Sequence, residues 1–270
     1  MEQINIPPEC DNLTRTEIVD QIAIVTMNDP KKANCLSSEL VGRLLKAFDE
    51  FESTRGVRAI ILRAQPGAKV WSAGHNIREL AIHSEDPLPW NRPFEKLLHR
   101  IRKCPVPVIG MIEGSVWGGA CDLAMTCDLL VGAPSASFAI TPARIGLSYN
   151  AAGLTHFLGV LPLHIIKEML FTAEPLSARD AHRLGLLNRL VEPDQLEATA
   201  LKIARDVASR APMVVRLLKA QLRKLTSGPT MNPDDFEEIQ TLRTAVDQSQ
   251  DLKEGVSAFF ERRIPVFEDK

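Results

Sequence analysis

Four short apolar runs set the frame for this chain: QIAIVTM at residues 21–27, RAIILRA at 58–64, PVIGMIE at 107–113 and DLLVGA at 128–133. Each is too short for a helix with its own core face, and each is bounded by turn-forming or charged residues, so each reads as a buried strand. The segments between them carry helical spacing instead. After the turn signal NDPKKAN, Ser37 or Ser38 caps ELVGRLLKAFDEFEST, where Leu40, Leu44, Leu45, Phe48 and Phe51 recur at three- and four-residue intervals. GGACDLAMTC forms a second helix between two of the runs. Alternating strand and helix patterns predict an α/β fold with helices covering the sheets.

The character changes after Asn150. AAGLTHFLGV, LHIIKEMLFTA, SARDAHRLGLL, DQLEATALKIARDVASR, PMVVRLLKAQLRKL and DDFEEIQTLRTAVDQ are all periodic in the helical sense, with Pro162, Pro175, Pro193, Pro212 and Pro233 near their starts, where a missing N–H costs least. With neither a fixed-period repeat nor a low-complexity linker, the chain reads as one core over residues 1–200 and a helical extension over 201–270.

Composition narrows the function classes. A net charge of −2 gives no general attraction to nucleic acid or anionic lipid, and no apolar run reaches the roughly 18 residues of a membrane span. Five cysteines without CxxC pairing, and no cationic apolar leader, predict reduced thiols in the cytoplasm. Cys121 and Cys127 read as small core residues rather than nucleophiles. The six histidines show no metal-ligand spacing.

Two segments look built for chemistry. In VWSAGHNIREL small residues precede His75, and in SVWGGACDLAM Gly118 and Gly119 open a helix. Glycine permits close backbone approach to a ligand, and the first helical turn offers N–H groups without intrahelical acceptors. Such groups bind anions or a developing oxyanion; a tight strand-to-helix turn explains the glycine pair equally well. Tyr149, the chain's one tyrosine, follows about thirty residues later in TPARIGLSYN.

Taken in order, PKKANCLS, WSAGHNI, GSVWGGACDLAMTCD and the pattern FAITPARIGL from Phe138 resemble the crotonase, or enoyl-CoA hydratase/isomerase, superfamily from about Ile18 to the C-terminus. SAGHNIREL, EGSVWGGA, TPARIGLSYN, TMNPDDFE and FFERRIPVF are most similar to its decarboxylating members, which act on methylmalonyl-CoA. The resemblance implies a ClpP/crotonase-like spiral of ββα units forming two sheets. It also implies that the helical extension serves trimer or hexamer assembly and caps the active site.

It implies further that main-chain N–H groups of His75 and Gly119 hold a thioester oxygen as it becomes an enolate, and that Tyr149 orients the substrate carboxylate. His75, Asn76, Ile77, Arg78, Glu79, Gly119 and Thr141 fall in substrate-binding segments. Arg262 replaces a CoA-binding lysine, and Lys32, with Lys31, either meets a phosphate or lies on a solvated turn. No separate cofactor is implied, since CoA belongs to the substrate; the partner is an acyl-CoA.

Hydratases of the family carry two glutamates where this chain has Asp122 and Pro142, and proline transfers no proton. That difference favours decarboxylation of methylmalonyl-CoA to propionyl-CoA and CO2 over hydration or isomerisation. Ethylmalonyl-CoA and malonyl-CoA stay open as substrates, because one methylene is worth only about 1–3 kcal/mol in an apolar pocket. Asp122 reads as a positioning or proton-transferring group, or as a first-turn helix acid. His83 could supply a missing acid/base in a hydratase, and a non-catalytic CoA-binding scaffold is the third reading.

Overall fold

A computed structural model describes residues 13–79, 93–149, 151–226, 240–241 and 244–268. Cys10, His83, Pro233, the TMNPDDFE motif and most of the helix expected over DDFEEIQTLRTAVDQ lie outside the described residues.

All four apolar runs form strands of one sheet. β1 (Thr14–Val19) and β2 (Ile22–Met27) make an antiparallel hairpin. Its two linking residues, Asp20 and Gln21, both have positive φ, as a two-residue hairpin turn matched to strand twist requires. β2 then pairs in parallel with β3 (Ala59–Ala64), which pairs with β5 (Val108–Ile112), then β7 (Leu129–Gly132) and the two-residue β10 (Arg189–Leu190). β4 (Val70–Ser72), β6 (Ser115–Trp117), β8 (Ser137–Ala139) and β9 (Leu176–Ser177) form a second sheet in that order. In each of the pairs β3/β4, β5/β6 and β7/β8, the first strand enters the large sheet and the second enters the small one.

Helices cover these sheets as the periodicity predicts. α1 (Ser38–Ser53) is capped by Ser37, whose hydroxyl accepts from the Leu40 N–H at 3.2 Å. It buries Leu40, Leu44, Phe48 and Phe51, each such side chain contributing about 1.5–3 kcal/mol. α2 (Pro93–Lys103) packs beside it, and α3 (Gly119–Thr126) is buried along its whole length. α4 (Ala151–Leu158), α5 (Leu163–Thr172) and α6 (Ala178–Arg183) follow.

α7 (Pro193–Ala208) runs through residue 200. Its Leu196, Ala200 and Ala204 pack on the large-sheet face formed by Ile22, Ile24, Ile61, Ile109 and Val131, so the sheet's helical cover continues to Ala208. α8 (Pro212–Thr226) is tied down by Lys219, whose ammonium meets Asp128 at 2.6 Å and the Val106 and Ile101 carbonyls at 3.0 and 3.2 Å. α9 (Gln250–Glu261) packs on the 3-10 turn Pro142–Ile145. Among the described residues no helix is long and apolar enough to cross a membrane.

Candidate active site

The three parallel strands of the small sheet each deliver one segment of a cavity at their C-terminal ends, the usual location of sites in parallel sheets. β4 runs into Ala73, Gly74 and His75; β6 into Gly118 and Gly119; β8 into Thr141 and Pro142. All but Gly74 line a cavity of about 70 Å³, together with Ile77, Phe94, Glu95, Asp122, Ile145, Leu147 and Tyr149.

Backbone geometry joins the first two segments. Gly74 has φ of 78°, and a Cβ there would lie 2.3 Å from the Trp117 carbonyl and 3.1 Å from the Gly119 nitrogen. Only glycine lets the two strand ends approach so closely. Gly118, at φ 52°, turns the chain into α3 and donates its N–H to the Ala139 carbonyl at 2.8 Å, which links the β6 and β8 ends. A Cβ on Gly119 would fall 2.6 Å from Cδ2 of His75, so the imidazole lies on the bare Cα. Phe94 meets the other side of that ring edge to face, at a centroid distance of 4.5 Å.

The ANC segment braces this wall from behind. Buried Asn34 donates its amide to the Trp71 carbonyl at 2.9 Å, its carbonyl accepts from the Ser72 hydroxyl at 2.7 Å, and the Leu36 N–H donates to the Gly74 carbonyl at 2.8 Å. The turn motif therefore fixes the position of His75.

The opposite wall is made of side chains. Asp122 sits in the first turn of α3, almost wholly buried, and each of its oxygens has a partner: Oδ2 accepts from the Tyr149 hydroxyl, and Oδ1 lies 3.2 Å from Nδ1 of His156 on α4. Burial raises the Asp122 carboxyl above its ordinary range, against the pull of His156 and then Tyr149. Burial, followed by the Asp122 charge, pushes the Tyr149 phenol well above its usual value. Phe157, next to His156, packs against the Tyr149 ring at 5.7 Å.

The structure brings His75, Gly119, Asp122, Thr141, Ile77 and Tyr149 together around the cavity. The remaining sequence candidates have other partners. The Asn76 amide donates to Glu79 at 2.7 Å, and Glu79 accepts from the Ser38 N–H and hydroxyl at 2.8 Å, which ties this turn to the start of α1. Arg78 lies over the Phe260 ring of α9 at 5.6 Å. Arg262 is the exposed residue after α9, and Lys31 and Lys32 lie on an exposed 3-10 turn; none of the three lines the cavity. Cys121 is buried, and burial drives its thiol far above neutrality, consistent with a core residue.

Sequence reasoning missed His156 and Glu95. Glu95 sits in the charged stretch RPFEKLLHR with nothing to distinguish it. His156 carried a weak signal, the single titratable side chain in the otherwise apolar helix AAGLTHFL.

Comparison with known proteins agrees with this architecture. The sequence model of the enoyl-CoA hydratase/isomerase family matches residues 17–270. Methylmalonyl-CoA decarboxylase of Escherichia coli K12 is 40% identical over 249 residues, covering 92% of this chain and 95% of that protein. The short-chain-enoyl-CoA hydratase of Clostridium acetobutylicum is 28% identical over 249 residues, covering 90% and 92%. A solved methylmalonyl-CoA decarboxylase in complex with 2-nitronate-propionyl-CoA superposes with a TM-score of 0.92 at 39% identity, over 95% of this chain and 98% of that one.

Proposed function

The chain belongs to the enoyl-CoA hydratase/isomerase family and has the crotonase fold, and from that premise we propose that it decarboxylates methylmalonyl-CoA to propionyl-CoA and CO2. The observation that carries this reading is the pairing of a backbone wall with a tyrosine–carboxylate wall across one small, mainly apolar cavity.

In the proposed reaction the thioester carbonyl lies at the backbone wall, facing the main-chain N–H groups of His75 and Gly119. The C–C bond to the carboxylate breaks, its electron pair enters the thioester, and CO2 leaves. The oxygen that gains charge is held by two preplaced donors, and losing one such donor typically costs about 100- to 1,000-fold in rate. A proton then adds to the α-carbon to give propionyl-CoA.

The side-chain wall favours the same outcome. Because the Tyr149 hydroxyl donates its hydrogen bond to Asp122, the phenol turns lone pairs toward the cavity, with a carboxylate charge behind them. A substrate carboxylate placed there meets lone pairs and is repelled, not neutralised, and the repulsion is relieved when it leaves as neutral CO2. Decarboxylation needs no general base, which matches Pro142 on the cavity wall where hydratases of the family have a glutamate.

Hydration is the second reading, because Glu95 lines the cavity alongside Asp122 and gives it two carboxyl groups. Both Asp122 oxygens are already engaged, by Tyr149 and His156, which counts against Asp122 as a base for water.

The same family reading includes assembly as a homotrimer or homohexamer. α8 supports it by exposing Val214, Leu218, Leu222 and Leu225, at 52%, 51%, 60% and 81%, an apolar stripe suited to a neighbouring subunit.

The purified protein should release CO2 from methylmalonyl-CoA and form propionyl-CoA, with malonyl-CoA and ethylmalonyl-CoA run in parallel to rank substrates. Hydration of crotonyl-CoA without CO2 release from any of the three would overturn the reading. Sedimentation of the same sample gives the oligomer mass.

A further inference from the structure

His156 has no part in the reaction just described, yet its side chain is buried beside the cavity against Asp122. Its side chain is 4% exposed and that of Asp122 is 6% exposed. With Asp122 ionised, its oxygens only accept hydrogen bonds, and the 3.2 Å contact then assigns a proton to Nδ1 of His156. Nε2, the other ring nitrogen, is buried with no hydrogen-bond partner among the described residues. Leaving such an atom unpaired is unfavourable, and a leucine or phenylalanine would fill the same space without that loss. A ring retained in this way is explained by what its Nδ1 does.

We propose that His156 is a positioning residue that holds the Asp122 carboxylate as the acceptor of the Tyr149 hydroxyl, and so fixes the face the phenol turns to the substrate. The kinetic arm of this inference rests on the decarboxylase reading; the spectroscopic arm does not.

The surroundings leave His156 the principal support. From α2, the Arg102 charge also favours the ionised Asp122, but less than His156 and Tyr149 do, and the Glu95 charge acts on Tyr149. The Cys121 thiol beside Asp122 stays protonated because it is buried. His75 lies across the cavity on Gly119. Without His156 the larger of the two hydrogen-bonding pulls against burial is gone, and Asp122 keeps its proton to still higher pH. A protonated Asp122 has a hydrogen that it can donate to the Tyr149 oxygen in place of accepting from it.

Tyr149 is the sole tyrosine of the chain, so the tyrosine doublet in the ultraviolet resonance Raman spectrum, which separates donating from accepting phenols, comes from this residue alone. In the full-length wild-type protein it should show a donor at neutral pH. In His156→Leu it should show an acceptor, with the return to donor moved to higher pH. With methylmalonyl-CoA, His156→Leu should lower kcat about tenfold with a smaller change in KM, and its acid limb should move to higher pH. His156→Asn, which keeps a donor near the Nδ1 position, should recover the donor signature and most of kcat, whereas His156→Gln should resemble leucine. If the leucine variant does not fold, the asparagine and glutamine pair decides the question. An unchanged Tyr149 signature in the leucine variant, or identical behaviour of asparagine and glutamine, would sink the proposal. A wild-type protein that releases no CO2 yet shows the expected spectral switch would overturn the substrate reading and leave the role of His156 standing.

Discussion

The two walls of the cavity are built by different means. The His75/Gly119 wall is main chain: its geometry follows from glycines where a Cβ would collide with backbone or with the His75 ring, and from the Asn34 brace behind β4. The Asp122/Tyr149 wall is side chain: three groups from α3, the segment before α4, and α4 itself meet in a buried cluster. The first wall has little conformational freedom, and its main-chain N–H donors do not titrate. The second depends on protonation, and its geometry should therefore change with pH while the first stays fixed.

The largest effect should come from breaking the backbone wall. Gly74→Ala puts a Cβ against the Trp117 carbonyl at a positive φ, which pushes apart the strand ends that bring His75 to Gly119. We expect decarboxylation kcat/KM to fall about 100- to 1,000-fold, as when an oxyanion donor is lost, with a stability loss of about 1–3 kcal/mol from backbone strain. Near-wild-type turnover would show that the two ends are not held together by this contact.

Tyr149→Phe attacks the other wall and leaves the first intact. It should cost about 100-fold in kcat through misplacement of the leaving carboxylate, with little change in the affinity for propionyl-CoA measured by calorimetry. Equal losses in both would mean that the ring serves acyl-CoA binding generally.

The mildest change is Asp122→Asn, about tenfold in kcat at the optimum, and its value lies in pH dependence. Since burial raises the Asp122 carboxyl, the acid limb of wild-type kcat should lie above the ordinary carboxylate range, and it should vanish in the variant. Stability gives the matching sign. Between the unfolded and the raised folded value the folded chain binds the extra proton, so stability falls as pH climbs through that window. Denaturant titrations across this range should show a smaller fall for the asparagine variant.

Much of the fold was legible before the structure. The strands β2, β3, β5 and β7 are runs of apolar residues long enough to show themselves, and α1, α5 and α7 carry periodic apolar faces. The small-sheet strands β4, β6 and β8 were legible only as motif text, because three residues are too few to display any period. They are nonetheless the strands that deliver the site. Among candidates, Glu79 and Arg78 sit in the right segment but spend their side chains on α1 and α9, and Asn76 spends its own on Glu79, which spacing along a chain cannot reveal.

The sequence by itself determined the α/β alternation, the helical C-terminal third, and the glycine-rich segments whose backbone had to approach something closely. Those properties are local: each follows from the conformations and apolar faces available to a few consecutive residues. Only the tertiary structure decided that Gly74 abuts Gly119, that the Tyr149 hydroxyl donates to Asp122, and that His156, seven residues further on, meets that carboxylate. These are contacts between distant segments, set by which parallel strand lies beside which and by what a buried charge can find to pair with.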